Sequence, residues 1–232
     1  RSMVMPEEER KNTAYHESGH TVVAKVLKEH TDPVHKVTVI PRGRALGVTM
    51  QLPEEDRYSH NRTFLLARIA VLMGGRIAEE IFMDQMTTGA SNDFEVATDL
   101  AQKMVSRWGM SDALGPRVYG DSEGEVFLGR DITSHKNLSP AVQERVDSEV
   151  TRIIDEEYAR ARKIIEDQRD KVEAMAQALL EWETLESDQI DAIMAGEPPR
   201  SPEEKTKKVK EKKGKDSASD PENKEKTDTE SE

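Results

Sequence analysis

The stretch Tyr15-His-Glu-Ser-Gly-His20 decides how the rest of the sequence is interpreted, because it carries an H-E-x-x-H pattern. It follows the helix-starting turn Pro6-Glu-Glu-Glu9 and lies among apolar residues that recur at helical spacing. At 3.6 residues per turn, His16 and His20 are about 40° apart around the axis and one turn along it, so both imidazoles can reach one metal ion. Glu17 flanks that ion without having to bind it. The pattern therefore predicts a helix that holds a metal site.

This short motif also supplies the groups that metal-assisted hydrolysis requires. Zinc held by both imidazoles would polarise a water molecule and a carbonyl group, and Glu17 would accept the proton of that water. Gly19 is unusual inside a helix, where glycine costs about 1 kcal/mol relative to alanine, and it indicates that another element packs closely there. A glycine pair, Gly74-Gly75, lies in a later apolar segment and likewise allows a neighbour to approach. The alternative to a metal site is that His16 and His20 are structural residues and that Glu17 lies beside them by chance.

A catalytic zinc site needs a third protein ligand, and several acidic side chains are candidates. The longer pattern H-E-x-x-H-x-x-G-x-x-H would require glycine and histidine at the positions of Val23 and Val26. The class of zinc sites with that pattern is therefore excluded. Asn92 is a predicted N-cap with Glu95 at the capping-box position, which would fix Asp93 in the first turn of a helix. Spacing alone does not choose among the acids. They are Glu54, Glu55, Asp56, Glu79, Glu80 and Asp93.

Most of the remaining chain has helical periodicity, with one short β-rich region. Helices are predicted at Phe64–Met83, at Asn92–Trp108 and in two segments that follow Ser139-Pro140. Strands are predicted at residues 37–40 and 47–52, with turn-forming residues between them. The predicted fold is therefore mainly α with a small antiparallel β-sheet between the first two helices.

Composition excludes several classes of function. The 232-residue chain has no cysteine, which rules out disulfide scaffolds, iron–sulfur clusters and thiol nucleophiles. Its net charge of −12 argues against nucleic-acid binding. It contains neither a G-x-x-x-x-G-K-[ST] phosphate loop nor an uncharged apolar run of about 18 residues, so we expect this chain to be soluble and not to bind ATP.

The C-terminal segment differs from the rest of the chain. Residues 197–232 contain 11 acidic and 10 basic residues, and their only aliphatic residues are Val209 and Ala218. Such a segment buries too little apolar surface to offset its backbone entropy. We therefore expect residues 197–232 to form a disordered charged tail.

Several stretches, in order, resemble the proteolytic domain of FtsH, the family of membrane-anchored ATP-dependent zinc metalloproteases. They include Thr13–His20, Val37–Gly43, Gly74–Glu80 and Thr88–Asp93, and the resemblance extends over about residues 1–194. It implies a zincin-like H-E-x-x-H helix followed by a helical C-terminal part. Residues 1–136 would form the zinc metalloprotease core, and residues 137–196 would be C-terminal helices of the same domain.

The resemblance also implies roles for individual residues. The zinc ligands would be His16, His20 and Asp93, with Glu17 as the general base. Glu79 would lie behind a ligand histidine and orient it. One Zn²⁺ would bind per chain, and ATP would act only through an ATPase domain that this chain lacks.

Partners and location follow from the same resemblance. The activity would be that of a zinc endopeptidase degrading unfolded or membrane-extracted proteins, within a homo-hexamer that serves membrane protein quality control. An AAA+ ATPase domain and a membrane segment would lie N-terminal in the parent protein. That parent would be anchored in a bacterial inner membrane with this domain on the cytoplasmic side.

An exposed strand near the zinc would offer unpaired main-chain groups to an extended peptide. Gly47, Val48, Thr49 and Met50 are the candidates, with an ordinary core hairpin as the alternative. Two other functions stay open. One is a non-catalytic, hexamer-forming scaffold, which intact site residues would argue against. The other is a small-molecule metallohydrolase, which would need an enclosed pocket.

Overall fold

The computed structural model describes residues 5–43, 45–53, 58–120 and 138–202. Three of the candidate ligands, Glu54, Glu55 and Asp56, and residues 203–232 of the predicted tail lie outside these ranges. The α-helices of the described part are α1 (Glu7–Val26), α2 (Arg62–Ala78), α3 (Ser91–Ser106), α4 (Pro140–Asp167), α5 (Arg169–Trp182) and α6 (Ser187–Ala195). The strands are β1 (Val34–Thr38), β2 (Val48–Gln51) and β3 (Thr184–Glu186). A π-helical turn covers Glu79–Met83, and 3₁₀ turns cover Lys28–His30 and Thr88–Ala90.

Helix α1 lies at the centre of the fold. Its first turn carries Glu7, Glu8 and Glu9, whose negative charges are favourable at the positive end of the helix dipole. From Thr13 to Ala24 every residue is buried, because α2, α5 and the sheet pack around it. A helix buried on all sides can hold polar side chains only if they find partners within the protein. The H-E-x-x-H residues therefore lie in the interior.

Helices α1 and α2 cross at two glycines. A Cβ built on Gly74 would lie 2.7 Å from the carbonyl oxygen of Gly19, and a Cβ on Gly19 would overlap the carbonyl group of Gly74. The two backbones are thus in direct contact, which only glycine on both sides allows. The close approach predicted from both glycines is confirmed.

The sheet is antiparallel and has the order β2-β1-β3. Strand β1 pairs Val37 with Thr49 of β2 on one side and with Leu185 of β3 on the other. The predicted small antiparallel sheet is confirmed. Strands β1 and β2 lie between α1 and α2 in the chain, as predicted, but the sheet has a third strand, β3, which comes from the C-terminal end. A three-residue strand has no periodicity from which it could be predicted.

Helix boundaries also differ in detail from the predictions. Helix α3 begins at Ser91, with Ala90 at the N-cap and no side-chain cap, so the prediction of Asn92 as N-cap is wrong. Asp93 nevertheless lies in the first turn. Helix α6 was not predicted. It begins with a capping box formed by Glu186 and Gln189.

The C-terminal helices pack back onto the N-terminal half. Helix α4 lies against α2 and α3, and α5 lies against α1. The mainly α fold with a small sheet is thereby confirmed. Among the described helices, none is both long enough and apolar enough to span a membrane.

The helix crossing gives a stability prediction. In Gly74→Ala the added methyl group must displace backbone, and overpacking of this kind costs about 1–3 kcal/mol. For a domain of this size that lowers Tm by about 2–12 °C. The measurement is thermal unfolding by circular dichroism in the presence of a chelator. Glu181→Ala, at an exposed position of α5, is the control and should melt like wild type; a Gly74→Ala variant that did the same would contradict the crossing.

Candidate active site

The two histidines of α1 point their outer ring nitrogens at each other. The Nε2 atoms of His16 and His20 are 3.0 Å apart, and both side chains are buried. The rings meet nearly edge to face, at an interplanar angle of 83°. This is the one-turn spacing expected from the sequence, and it leaves both nitrogens facing the same point in space.

Asp93 completes a triangle with these nitrogens. Its Oδ2 lies 3.3 Å from Nε2 of His16 and 3.3 Å from Nε2 of His20. In a tetrahedral zinc site with bonds of about 2.0–2.1 Å, ligand atoms are about 3.3–3.4 Å apart. Within the described ranges, these three residues form the group of ligand atoms close enough together to hold a metal ion. The dimensions fit zinc.

The opposite nitrogen of each ring is already occupied. His20 donates its Nδ1–H to the carbonyl oxygen of Val71, at 2.7 Å, and His16 donates its Nδ1–H to Oε1 of Glu79, also at 2.7 Å. In the neutral form of each imidazole, these bonds place the proton on Nδ1 and leave the lone pair on Nε2. Both rings are therefore oriented for metal binding before any metal arrives.

Gly75 leaves the space that the rings require. A Cβ at this position would lie 2.5 Å from Cε1 of His16 and 2.6 Å from Nε2 of His20. Any side chain would therefore press against the ligand atoms. The glycine pair of α2 thus serves two purposes: Gly74 contacts α1, and Gly75 makes room for its histidines.

Glu79 is fully buried in the π-helical turn and connects α1 to the segment that leads to Asp93. Its Oε2 accepts hydrogen bonds from the backbone N–H of Thr87, at 3.0 Å, and from the Thr87 hydroxyl, at 3.2 Å. Burial alone would raise the pKa of Glu79, but the hydrogen bonds from His16 and Thr87 outweigh it and lower that pKa. Glu79 is therefore a carboxylate, able to accept the His16 proton. Single-turn π-bulges are frequent at functional sites.

The site carries an excess of negative charge. Burial opposes ionisation of both His16 and Asp93, but their mutual hydrogen bonds outweigh it. The hydrogen bond to Glu79 and the charge of Glu17 add to the effect on His16, whose pKa rises to about 9. The hydrogen bond and charge of His20 add to those of His16 and hold the pKa of Asp93 well below its usual range. Three carboxylates around two imidazoles favour a cation among them. A proton serves that purpose in the metal-free site, and a divalent metal would serve it better.

Glu17 lies on the side of α1 that faces the sheet. Its Oε2 accepts a hydrogen bond of 2.7 Å from the hydroxyl of Thr49, in β2. Gly47 lies near the other carboxylate oxygen, because a Cβ built there would be only 2.7 Å from Oε1 of Glu17. The carboxylate is buried and adjoins the histidines without being part of the ligand triangle.

The structure also shows the positions of candidate residues that spacing in the sequence could not distinguish. Strand β2, with Val48, Thr49 and Met50, lies at an edge of the described sheet. Glu80 does not join the ligand triangle. Its Oε2 accepts hydrogen bonds from Tyr158, at 2.6 Å, and Arg162, at 3.0 Å, both in α4.

Three groups that contribute to the site were not predicted from the sequence. The carbonyl group of Val71 has no sequence signature, because any residue supplies one. Thr87 immediately precedes the Thr88–Asp93 motif, and that adjacency was the available hint. Thr49 was predicted for its main chain, and its hydroxyl contact with Glu17 was not foreseen.

Comparison with known proteins identifies the family. ATP-dependent zinc metalloprotease FtsH from Cupriavidus metallidurans is 58% identical over 202 residues, which is 87% of this chain and 31% of that protein. FtsH from Magnetococcus marinus is 57% identical over 198 residues, which is 85% of this chain and 29% of that protein. This chain thus spans about 30% of the length of these relatives. The Peptidase family M41 model matches residues 3–193, and the chain therefore belongs to peptidase family M41.

Proposed function

We propose that this chain is a zinc-dependent endopeptidase in which His16, His20 and Asp93 hold the metal and Glu17 is the general base. The observation that carries the proposal is the triangle of Nε2, Nε2 and Oδ2 atoms, with edges of 3.0, 3.3 and 3.3 Å, beside a buried carboxylate. The names of the relatives support the same metal and reaction. A scaffold without activity would not require Glu17 in this position.

Bound zinc would supply Lewis-acid chemistry, activating a water molecule and polarising the scissile carbonyl. Glu17 accepts a proton from the attacking water as its oxygen bonds to the carbonyl carbon. The same carboxyl group then gives that proton to the amide nitrogen as the carbon–nitrogen bond breaks. Glu79 holds the ring of His16 by its Nδ1–H throughout.

The proposed substrate is an extended polypeptide. Strand β2 lies at an edge of the sheet and adjoins Glu17, so its outer main-chain groups would pair with a peptide laid beside it. Such pairing does not depend on sequence and suits unfolded proteins. The relatives, as their names state, depend on ATP. We propose that the parent of this chain is a membrane-anchored hexamer whose ATPase part delivers unfolded or membrane-extracted substrates.

The first prediction from the proposed function concerns the zinc ligands. Asp93→Asn should bind zinc far more weakly than wild type, because it loses a charged ligand. Glu79→Gln should keep zinc, with a loss of about 10–100-fold in affinity or activity. Metal analysis after desalting and competition with a chromophoric chelator measure both. If Glu79→Gln lost the metal and Asp93→Asn kept it, the third ligand would be misassigned.

The second prediction concerns the base. Glu17→Gln keeps the shape of the side chain and can accept hydrogen bonds, but it cannot take up the proton. It should bind zinc like wild type and cleave fluorescently labelled casein at least about 100-fold more slowly, since general base catalysis contributes about 10²–10⁴-fold. A variant that retained zinc and most of its proteolysis would show that another group is the base.

The third prediction concerns substrate form. The purified chain should cleave casein, a loose substrate, slowly and at the same rate with or without ATP. It should leave a stably folded protein intact, because a folded chain offers no extended segment to β2. Gel electrophoresis of both substrates, with a chelator as the control, tests this. ATP-stimulated degradation of the folded protein would contradict the proposed division of labour.

A further inference from the structure

The hydroxyl of Thr49 is committed to the carboxylate of Glu17. Its oxygen lies 2.7 Å from Oε2, within the range of charge-assisted O–H···O⁻ bonds. Its other two oxygen neighbours, the carbonyl of Glu17 and the hydroxyl of Thr21, are both at 3.3 Å. Thr21 itself donates to that carbonyl, at 2.8 Å, so the Glu17 carbonyl already has a donor. The one proton of Thr49 therefore belongs to the carboxylate.

The residue before β2 confines the same carboxylate from another direction. A Cβ at Gly47 would lie 2.7 Å from Cγ and Oε1 of Glu17 and 2.9 Å from the methyl group of Thr13. The segment from Gly47 to Thr49 thus lies too close to one carboxylate oxygen for a side chain at position 47 and binds the other oxygen with a hydroxyl. A glutamate side chain has several rotatable bonds, and the hydrogen bond from Thr49 favours one orientation of its carboxylate.

We propose that Thr49 is a positioning residue, whose hydroxyl holds Glu17 in the orientation that proton transfer requires. This inference rests on the proposed function and adds a second role for β2. Its outer edge would pair with the peptide through main-chain groups, while a side chain on its inner face fixes the base. One short strand would then set the position of both the scissile bond and the group that activates water against it.

Three variants test the proposal. Thr49→Val keeps the shape and the strand preference but removes the hydroxyl, whereas Thr49→Ser keeps the hydroxyl. Thr38→Val is the matched control. The hydroxyl of Thr38, on β1, contacts the carbonyl oxygen of Glu183 and the hydroxyl of Thr184, at the edge of the sheet opposite β2. Each variant is loaded with zinc and assayed on a fluorogenic extended peptide, with zinc content, kcat and KM measured separately.

Thr49→Val should lower kcat about 10–100-fold, with KM and zinc content close to wild type. KM is unaffected because the peptide pairs with main chain that the substitution leaves intact. Thr49→Ser should recover most of kcat, and Thr38→Val should keep it. An unchanged kcat in Thr49→Val, an equal loss in Thr49→Ser, or a loss confined to KM or zinc would overturn the proposal.

A second readout does not depend on activity. In the metal-free chain, Thr49→Val leaves a buried carboxylate oxygen without its donor and should lower Tm by several degrees. In a Glu17→Ala background that oxygen is absent, so the same substitution should lower Tm by less than half as much. Equal shifts in both backgrounds would show that the hydroxyl does not engage the carboxylate.

Different results would disprove the proposed function and the role of Thr49. If wild type cleaves the peptide and Glu17→Gln does not, the proposed function stands, whatever Thr49→Val does. If wild type binds no zinc or cleaves nothing, the proposed function fails, and the catalytic role of Thr49 fails with it even where the Tm shifts show the bond.

Discussion

The contact between the backbones of α1 and α2 is the constraint on which the rest of the structure depends. Because Gly19 and Gly74 have no side chains, the two helices come close enough for the carbonyl of Val71 to reach His20. The same approach sets Gly75 beneath both imidazole rings. A wider helix spacing would leave the histidines without their acceptors, buried and unpaired. Close packing is thus a requirement of the site as well as of the core.

The C-terminal helices brace the same region from outside. The hydroxyl of Tyr15, next to His16, donates to Glu173 of α5 at 2.8 Å, and the hydroxyl of Tyr158 in α4 donates to Glu80, next to Glu79. Burial and the neighbouring glutamates raise the pKa of both tyrosines to about 12, so both keep their protons at physiological pH. Hydrogen bonds therefore connect the residues next to His16 and Glu79 to α5 and α4.

The sequence was informative where chemistry and spacing coincide. The pattern from His16 to His20 predicted the helix and the convergence of the rings, and the glycines predicted close approach. The acids could not be ranked, because the orientations of Asp93, Glu79 and Glu80 depend on how α1, α3 and α4 pack around the π-helical turn. The third strand, the Val71 carbonyl and the Thr49 hydroxyl escaped prediction because each arises from contacts between segments distant in sequence.

The central claim is that two imidazoles and one carboxylate hold zinc beside Glu17. Zinc K-edge X-ray absorption of the zinc-loaded chain tests it most directly. The account predicts a four-coordinate shell of nitrogen and oxygen atoms at about 2.0–2.1 Å, with outer-shell scattering from two imidazole rings. Scattering from a single imidazole, or a six-coordinate shell of oxygen atoms alone, would contradict it.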